Sequence, residues 1–357
     1  MMNVFYNYSI VAGWVAALIL GICLLGCKVP SNPIYKTYQR SRRILGVAYL
    51  VFSVGISQFT FFNLRVSHPD IAVALPLSYF YLEGILWGMS LSSLLDSGYI
   101  TRKRTWHLFG PYVIFLVLTW SGALLAKGAF RTTLLIIASL WFFVAASLIA
   151  YQFFKVYFRA RRRINDFYSD NVEGFVIWIH KTVYAIIFLG LSGAILAFSP
   201  RLYNAIFMLC GIALFTYVFI SFQNYILNYP LLTPALEESD SVAVTGSADT
   251  YAAMRRSIEK WIVDKGFAEP GITLEKLALI VGVNRSYVSA FINSEYHCNF
   301  RELVNSHRLE YAKLLLKENP KDTIEKISYD TGFSSATYFS RLFTKQEGVS
   351  PSKWRES

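Results

Sequence analysis

Seven long apolar stretches constrain the fold of this 357-residue chain more than any other feature of its sequence. They lie near residues 8–26, 44–62, 71–92, 108–126, 132–154, 175–198 and 202–226. Each has about the 20 residues that a helix needs to cross roughly 30 Å of hydrocarbon. A mean hydropathy of +0.40 is too high for an ordinary soluble protein. We therefore expect a seven-span transmembrane domain over residues 1–226.

The basic residues of the loops predict which side of the membrane each loop faces. The first, third and fifth loops together hold 13 Lys and Arg residues, whereas the second, fourth and sixth hold 4. Because basic loops stay in the cytosol, this pattern predicts a protein of the bacterial inner membrane. Its N-terminus would lie outside and its C-terminus in the cytosol. Four arginines between residues 159 and 163 fit this rule as a topology signal. Contact with lipid headgroups or DNA phosphates stays open for them.

An ionisable side chain, Glu83, is expected near the middle of the third span. A carboxyl group at that depth is costly, so we interpret Glu83 as a candidate sensing residue, either a ligand contact or a proton-linked switch. A protonated Glu83 that is hydrogen-bonded between helices is the structural alternative. Gly84 and Gly88 form a GxxxG pattern, which serves helix packing within one chain or dimerisation. Whether the protein forms a homodimer stays open.

Residues 227–250 mix Pro, Ser, Thr, Gly and acidic residues without periodicity, which predicts a flexible linker. The four cysteines have no ligand-like spacing with one another or with His, so we predict no metal site. The sequence also lacks a phosphate-binding Gly loop and an obvious nucleophile arrangement. We expect no enzyme activity and no cofactor.

An internal repeat is the most specific signal in the remaining residues, 251–357. The segment TLEKL at 273–277, followed by Gly282, recurs as TIEKI at 323–327, followed by Gly332. In each copy the Thr can cap a helix N-terminus, the Glu suits the helix dipole, and the Gly can adopt a left-handed turn. The repeat therefore predicts two helix-turn-helix units in tandem.

A second helix is predicted after each turn, beginning at Asn284 or Ser335. Its apolar residues recur at helical spacing and pack inward, so its outward face is where DNA bases would be read. The candidate DNA contacts are Arg285, Ser286, Ser289, Asn293, Thr337, Tyr338, Ser340, Arg341 and Lys345. Arg341 is the first choice because guanine recognition is the commonest specific use of Arg. A surface ion pair is its alternative, and a solvated or half-buried role is the alternative for the others.

One helix is predicted to join the two units, because residues 300–316 contain neither Pro nor Gly and show helical apolar spacing. At 1.5 Å per residue it is about 25 Å long. That length can hold two recognition helices near the roughly 34 Å separation of successive major-groove faces.

At these residues the chain resembles the DNA-binding domain of the AraC family of transcription regulators. The resemblance covers about residues 251–357 and includes Arg308-Leu309, Gly332-Phe333 and the closing Gly348-Val349-Ser350-Pro351. It implies seven helices, two recognition helices in successive major grooves, and promoter DNA and RNA polymerase as partners. Ala290 and Asn293 stand where the first recognition helix of this family often has basic residues, so direct readout by that helix is expected to be weaker.

The sequence thus predicts an all-α, membrane-bound, one-component transcription regulator. Its transmembrane domain would sense an unknown ligand or a change of the membrane, and its cytosolic domain would bind DNA. A second hypothesis is a small-molecule transporter whose soluble domain reports occupancy. A third is a tether that holds a chromosomal locus at the membrane.

Overall fold

The computed structural model describes residues 2–62, 64–170, 172–196, 201–237 and 248–356. These residues form helices, turns and loops, and no strand occurs among them beyond an isolated bridge between Tyr168 and Thr273. The chain divides into two compact units. The membrane unit comprises Met1–Ala160 and Phe175–Pro234, and the DNA-binding unit comprises Arg161–Gly174 and Ala235–Ser357.

Eight helices cover the first part of the chain. They are α1 (Met2–Gly26), α2 (Lys36–Phe62), α3 (Leu64–Ser67), α4 (Pro69–Leu95), α5 (Arg102–Leu124), α6 (Gly128–Phe167), α7 (Ile177–Leu196) and α8 (Arg201–Leu236). Short 3-10 helices precede α2 at Pro33–Tyr35 and α7 at Glu173–Val176. Within the described residues, seven of these segments are long and apolar enough to cross a membrane. The predicted all-α fold with seven membrane-length apolar helices is confirmed.

Buried polar side chains join helices of the membrane unit to one another. The Tyr38 hydroxyl of α2 donates to the Phe222 carbonyl of α8 at 2.9 Å, and the Tyr49 hydroxyl donates to the Phe215 carbonyl at 2.7 Å. The Ser41 hydroxyl donates to the Ser90 carbonyl of α4 at 2.6 Å. Because hydrocarbon offers no hydrogen-bond partners, such pairs satisfy the polar groups inside the bundle.

The two glycines of the GxxxG pattern lie against α6 of the same chain. A Cβ placed on Gly88 would be 2.9 Å from Ile149 Cγ2, and one placed on Gly84 would be 4.0 Å from Ile149 Cδ1. The small residues therefore serve close packing within the chain, one of the two roles that the sequence left open.

The end of α8 corrects the prediction of a linker over 227–250. The helix continues to Leu236 although it contains Pro230 and Pro234. Its last turns still bury apolar side chains, with Leu232 fully buried and Leu236 6% exposed, so packing outweighs the hydrogen bonds that the prolines remove. The central part of the predicted linker, residues 238–247, lies outside the described residues, and its flexibility stays a prediction.

The DNA-binding unit contains seven further helices in its described C-terminal part. They are α9 (Ala248–Val263), α10 (Leu274–Val281), α11 (Arg285–Glu295), α12 (Phe300–Glu318), α13 (Ile324–Asp330), α14 (Ala336–Glu347) and α15 (Pro351–Glu356), with a 3-10 turn at Gly266–Ala268. The Thr273 and Thr323 hydroxyls accept from the backbone N–H groups of Lys276 and Lys326 at 3.2 and 3.1 Å. Both threonines are therefore helix caps, as the repeat predicts.

Two hydrophobic cores lie at opposite ends of α12. The first core collects side chains from α9, α10, α11 and the start of α12, including Val288, Phe291 and Leu303. The second core collects side chains from α13, α14 and the end of α12, including Leu309, Phe339 and Phe343. Because α12 contributes to both cores, it joins the two helix-turn-helix units as one packed element.

Candidate nucleic-acid interface

Helices α11 and α14 occupy the position of the recognition helix in their units. Each begins at a capping side chain: Asn284 accepts from the Ser286 N–H at 2.9 Å, and Ser335 accepts from the Tyr338 N–H at 3.3 Å. Each helix follows a glycine with positive φ, +77° at Gly282 and +90° at Gly332. The caps and turns leave one face of each helix for the core and the other for a partner.

The candidates on α11 are partly engaged within the DNA-binding unit. Arg285 donates from Nη2 to the Glu237 carbonyl at 2.8 Å, and its guanidinium lies 5.5 Å from the ring centre of Phe167. Asn293 is exposed, but its side-chain amide donates to the Ser289 carbonyl at 2.9 Å. Ser286 and Ser289 are half-buried. This face therefore presents short polar groups and no long basic side chain directed at solvent.

The candidates on α14 are more accessible. Thr337, Arg341 and Lys345 are exposed, and Ser340 is half-buried. The Arg341 guanidinium lies 5.7 Å from the ring centre of Tyr338, a cation–π distance that orients the side chain along the helix surface. Two exposed basic side chains one turn apart can contact a DNA base and a phosphate.

Tyr338 is placed differently from the other candidates on α14. Its hydroxyl accepts from Arg301 Nη2 at 3.0 Å and from Asn305 Nδ2 at 3.2 Å, both on α12. The half-buried ring also packs near Phe333 of the second core. The hydroxyl thus has partners inside the unit, and the side chain positions α14 against α12.

A cluster on α12 that the sequence did not reveal surrounds this tyrosine. Arg308 is fully buried and donates to the Phe267 and Glu269 carbonyls at 2.7 and 2.9 Å. Its counter-ion is Asp170, 3.2 Å away. Burial lowers the pKa of the Arg308 guanidinium, and the Asp170 charge opposes that shift.

Asp170 belongs to residues 165–170, which we term the docking segment. Asn165 Oδ1 accepts from Arg301 Nη1 at 2.6 Å, and the buried Ser169 hydroxyl donates to the Ile272 carbonyl at 2.9 Å. Asn305 Nδ2 donates to the Ser169 carbonyl at 3.4 Å. The segment comprises the last three residues of α6 and the three that follow, and its polar groups bind residues of the C-terminal part of the DNA-binding unit.

Glu83, the candidate sensing residue, lies in α4 and is 6% exposed. Its Oε1 accepts a hydrogen bond from Trp87 Nε1 at 3.2 Å, one helical turn along the same helix. Nothing in the sequence indicated Trp87 as the partner of this carboxyl group. In the described residues no cluster of three His, Cys, Asp or Glu side chains could hold a metal ion.

Known families match the C-terminal part of the chain. Residues 277–357 match a family described as "Helix-turn-helix domain". The Msm operon regulatory protein of Streptococcus mutans serotype c is 28% identical over 128 residues, 36% of this chain and 45% of that protein. The HTH-type transcriptional regulator MtrA of Neisseria gonorrhoeae is 27% identical over 128 residues, 35% of this chain and 41% of that protein. The C-terminal domain is an AraC-type helix-turn-helix domain.

Relatives of the AraC-type domain are regulators of transcription and not enzymes. The probable transcription factor PqrA of Proteus vulgaris is 28% identical over 28% of this chain and 81% of that protein. The chain spans less than half of the length of the first two relatives. A solved structure, the C-terminal domain of AraT from Geobacillus stearothermophilus, is 32% identical over 29% of this chain and 84% of that one, with a TM-score of 0.27.

Proposed function

We propose that the protein is a membrane-bound one-component transcription regulator, in which the AraC-type domain binds promoter DNA in the cytosol and the membrane unit senses a stimulus. One observation carries the proposal: two helix-turn-helix units joined by α12 follow seven membrane-length helices in the same chain. The loop charges support a cytosolic C-terminus, where promoter DNA is present. RNA polymerase is the expected further partner.

We assign base or phosphate contacts mainly to α14, with Arg341 and Lys345 as the basic contacts and Thr337 and Ser340 beside them. Exposure of Thr337, Arg341 and Lys345 supports the assignment. Helix α11, with Ser286, Ser289 and Asn293, would fix the position of the domain on the duplex through weaker polar contacts. Arg285 would become available for a phosphate if it left the Glu237 carbonyl.

Genome-wide mapping of bound DNA, compared with transcript changes after deletion, tests this function directly. A regulator binds a small set of promoters whose transcripts change on deletion. Binding without any change in transcripts would favour a chromosomal tether instead. Reporter fusions after Leu236 and before Met2 test orientation, and an external C-terminus would overturn the proposal.

We further propose that the docking segment transmits the stimulus. The segment begins in the last turn of α6, and it makes direct polar contacts with Arg308 and Asn305, of which Asn305 also binds the Tyr338 hydroxyl. A movement of α6 would therefore change how α12 and α14 are held. In this scheme Glu83 belongs to the sensing end and Asp170 to the output end.

Replacing Asp170 with Asn tests the transmission step. The change leaves the buried Arg308 without its counter-ion, and breaking such a pair costs about 3–5 kcal/mol. We expect stimulus-independent reporter output, because the segment no longer holds α12, while protein level at the membrane is retained. Ser169→Ala, which removes only a neutral hydrogen bond, is the matched control and should shift output less. Normal switching in Asp170→Asn would remove the segment from the pathway.

A further inference from the structure

The membrane unit contains a cavity with one carboxyl group on an otherwise apolar wall. Its volume is about 120 Å³, and side chains of α2, α4, α6, α7 and α8 form its wall. Glu83 contributes the carboxyl group, and no Lys, Arg or His side chain is among the described residues of that wall. A buried carboxylate without a protein counter-charge requires either a proton or a bound cation.

The Glu83 side chain has an oxygen available to a ligand. Trp87 Nε1 binds Oε1 at 3.2 Å and so orients the carboxyl group. Within the described residues, no hydrogen bond reaches the other oxygen, Oε2, although the residue is only 6% exposed. An oriented, half-satisfied carboxyl group in a cavity is a recognition element for a hydrogen-bond donor.

Aromatic rings from three helices line the same cavity as this carboxyl group. The ring centres of Phe52 and Phe215 are 4.7 Å apart, and the Trp87 ring lies 5.6 Å from that of Phe215. On the same wall, Phe80 and Phe207 are 6.4 Å apart. Aromatic faces attract cations within about 6 Å, and ammonium groups are recognised by such rings. A carboxylate and several rings together favour an organic ammonium over a neutral solute.

The size of the cavity limits the ligand to a small molecule. A Cβ placed on Gly211, a buried wall residue, would meet no atom within 4 Å. An apolar cavity of about 150 Å³ can bind benzene. We propose that this cavity binds a small organic amine, with its ammonium group on Glu83 and its hydrocarbon part against the rings. The regulatory meaning of this binding rests on the proposed sensing function; the binding itself does not.

Calorimetric titration of the purified full-length protein in lipid nanodiscs tests the proposal. The probes are n-butylamine, which is protonated at neutral pH like a Lys side chain, and n-butanol, its neutral counterpart of similar size. Empty nanodiscs correct for partition into lipid. We expect the amine to bind at least tenfold more tightly than the alcohol. Equal binding of the two probes would overturn the proposal.

Two variants locate the binding site. Glu83→Gln keeps the shape of the side chain and removes its charge, so the amine should bind at least tenfold more weakly. Gly211→Leu fills the open space and should abolish binding of the amine. Unchanged amine binding in either folded variant contradicts the proposal. If Gly211→Leu fails to fold, the isosteric Glu83→Gln and the contrast between amine and alcohol decide the outcome.

DNA binding by the same preparations separates this inference from the proposed function. If the amine and the alcohol bind equally while promoter binding and reporter switching are intact, the proposed ligand class is refuted and the proposed function is not. Glu83-dependent amine binding in a protein that alters no transcript supports the ligand site and refutes the regulator.

Discussion

The two helix-turn-helix units share their backbone plan but differ in the chemistry that their recognition helices present. Both use a Thr cap and a glycine with positive φ. In the first unit the basic residue Arg285 donates to the Glu237 backbone carbonyl, which lies outside that unit, whereas in the second unit Arg341 is exposed. A sequence repeat can thus preserve the fold of a unit while the contact face changes. The comparison predicts that the second unit contributes more to sequence recognition.

The largest contrast is expected at the two turn glycines. A Cβ on Gly332 would lie 2.5 Å from the Ala268 carbonyl oxygen, whereas one on Gly282 would meet no atom within 4 Å. Gly282→Ala should cost about 1–2 kcal/mol for the left-handed conformation alone. Gly332→Ala should cost more than about 3 kcal/mol, because the backbone must also move.

The urea midpoint of the DNA-binding unit, measured by pulse proteolysis of the purified full-length protein, checks this contrast. The two units would be equivalent at their turns if both substitutions lowered the midpoint equally.

A smaller contrast is expected in DNA binding. Arg341→Ala should weaken binding to a mapped promoter by about 1–3 kcal/mol if Arg341 contacts a base. The matched change on α11, Asn293→Ala, should cost less, because the Asn293 amide donates to its own helix. Titration with fluorescent duplexes at fixed salt measures both. Equal losses would break the proposed asymmetry, and an unchanged footprint in Arg341→Ala would remove this residue from the interface.

The smallest contrast concerns the acidic residue that ends each recognition helix. Glu347 pairs with Lys313 at 2.7 Å, with side chains 18% and 19% exposed. Glu295 pairs with Arg255 in a more open position, where the Arg255 side chain is 53% exposed. Because exposed pairs contribute little, Glu347→Gln should cost about 1 kcal/mol and Glu295→Gln no more than about 0.5 kcal/mol. Urea midpoints again provide the measurement.

The contribution of the Lys313–Glu347 pair to the stability of the fold changes with pH in a definite direction. Hydrogen bonds to Glu310 and Glu347 raise the pKa of Lys313 above its usual 10.5. Because the pKa of Lys313 is raised in the folded protein, its ion pairs stabilise the fold at pH values below 10.5. This contribution to stability disappears as the pH rises through the raised pKa. The difference between wild type and Glu347→Gln should therefore stay constant near neutral pH and shrink in strongly alkaline buffer.

Local patterns explain what the sequence could predict. Apolar spacing, caps and turn glycines act within a few residues, so the helices of the AraC-type domain and the inward-facing Phe291 and Phe339 were predictable. At the end of α8, burial of Leu232 and Leu236 overrides Pro230 and Pro234, and composition alone cannot report burial.

The docking segment could not be predicted for a different reason. The Arg308–Asp170 pair joins residues 138 positions apart, and no periodicity connects them. The same holds for Tyr338, a candidate DNA contact whose hydroxyl accepts from Arg301 and Asn305. The sequence around Tyr338 does not indicate Arg301 or Asn305 as its partners.

The buried Arg308 has a practical consequence for how this protein can be divided. A soluble fragment that begins at residue 251 contains Arg308 but lacks Asp170, so it places an uncompensated charge between its two cores. Such a fragment would report the behaviour of a damaged domain, and its affinity for DNA would be a poor guide to that of the intact protein. A covalent fusion of residues 161–174 to the fragment restores the missing carboxylate.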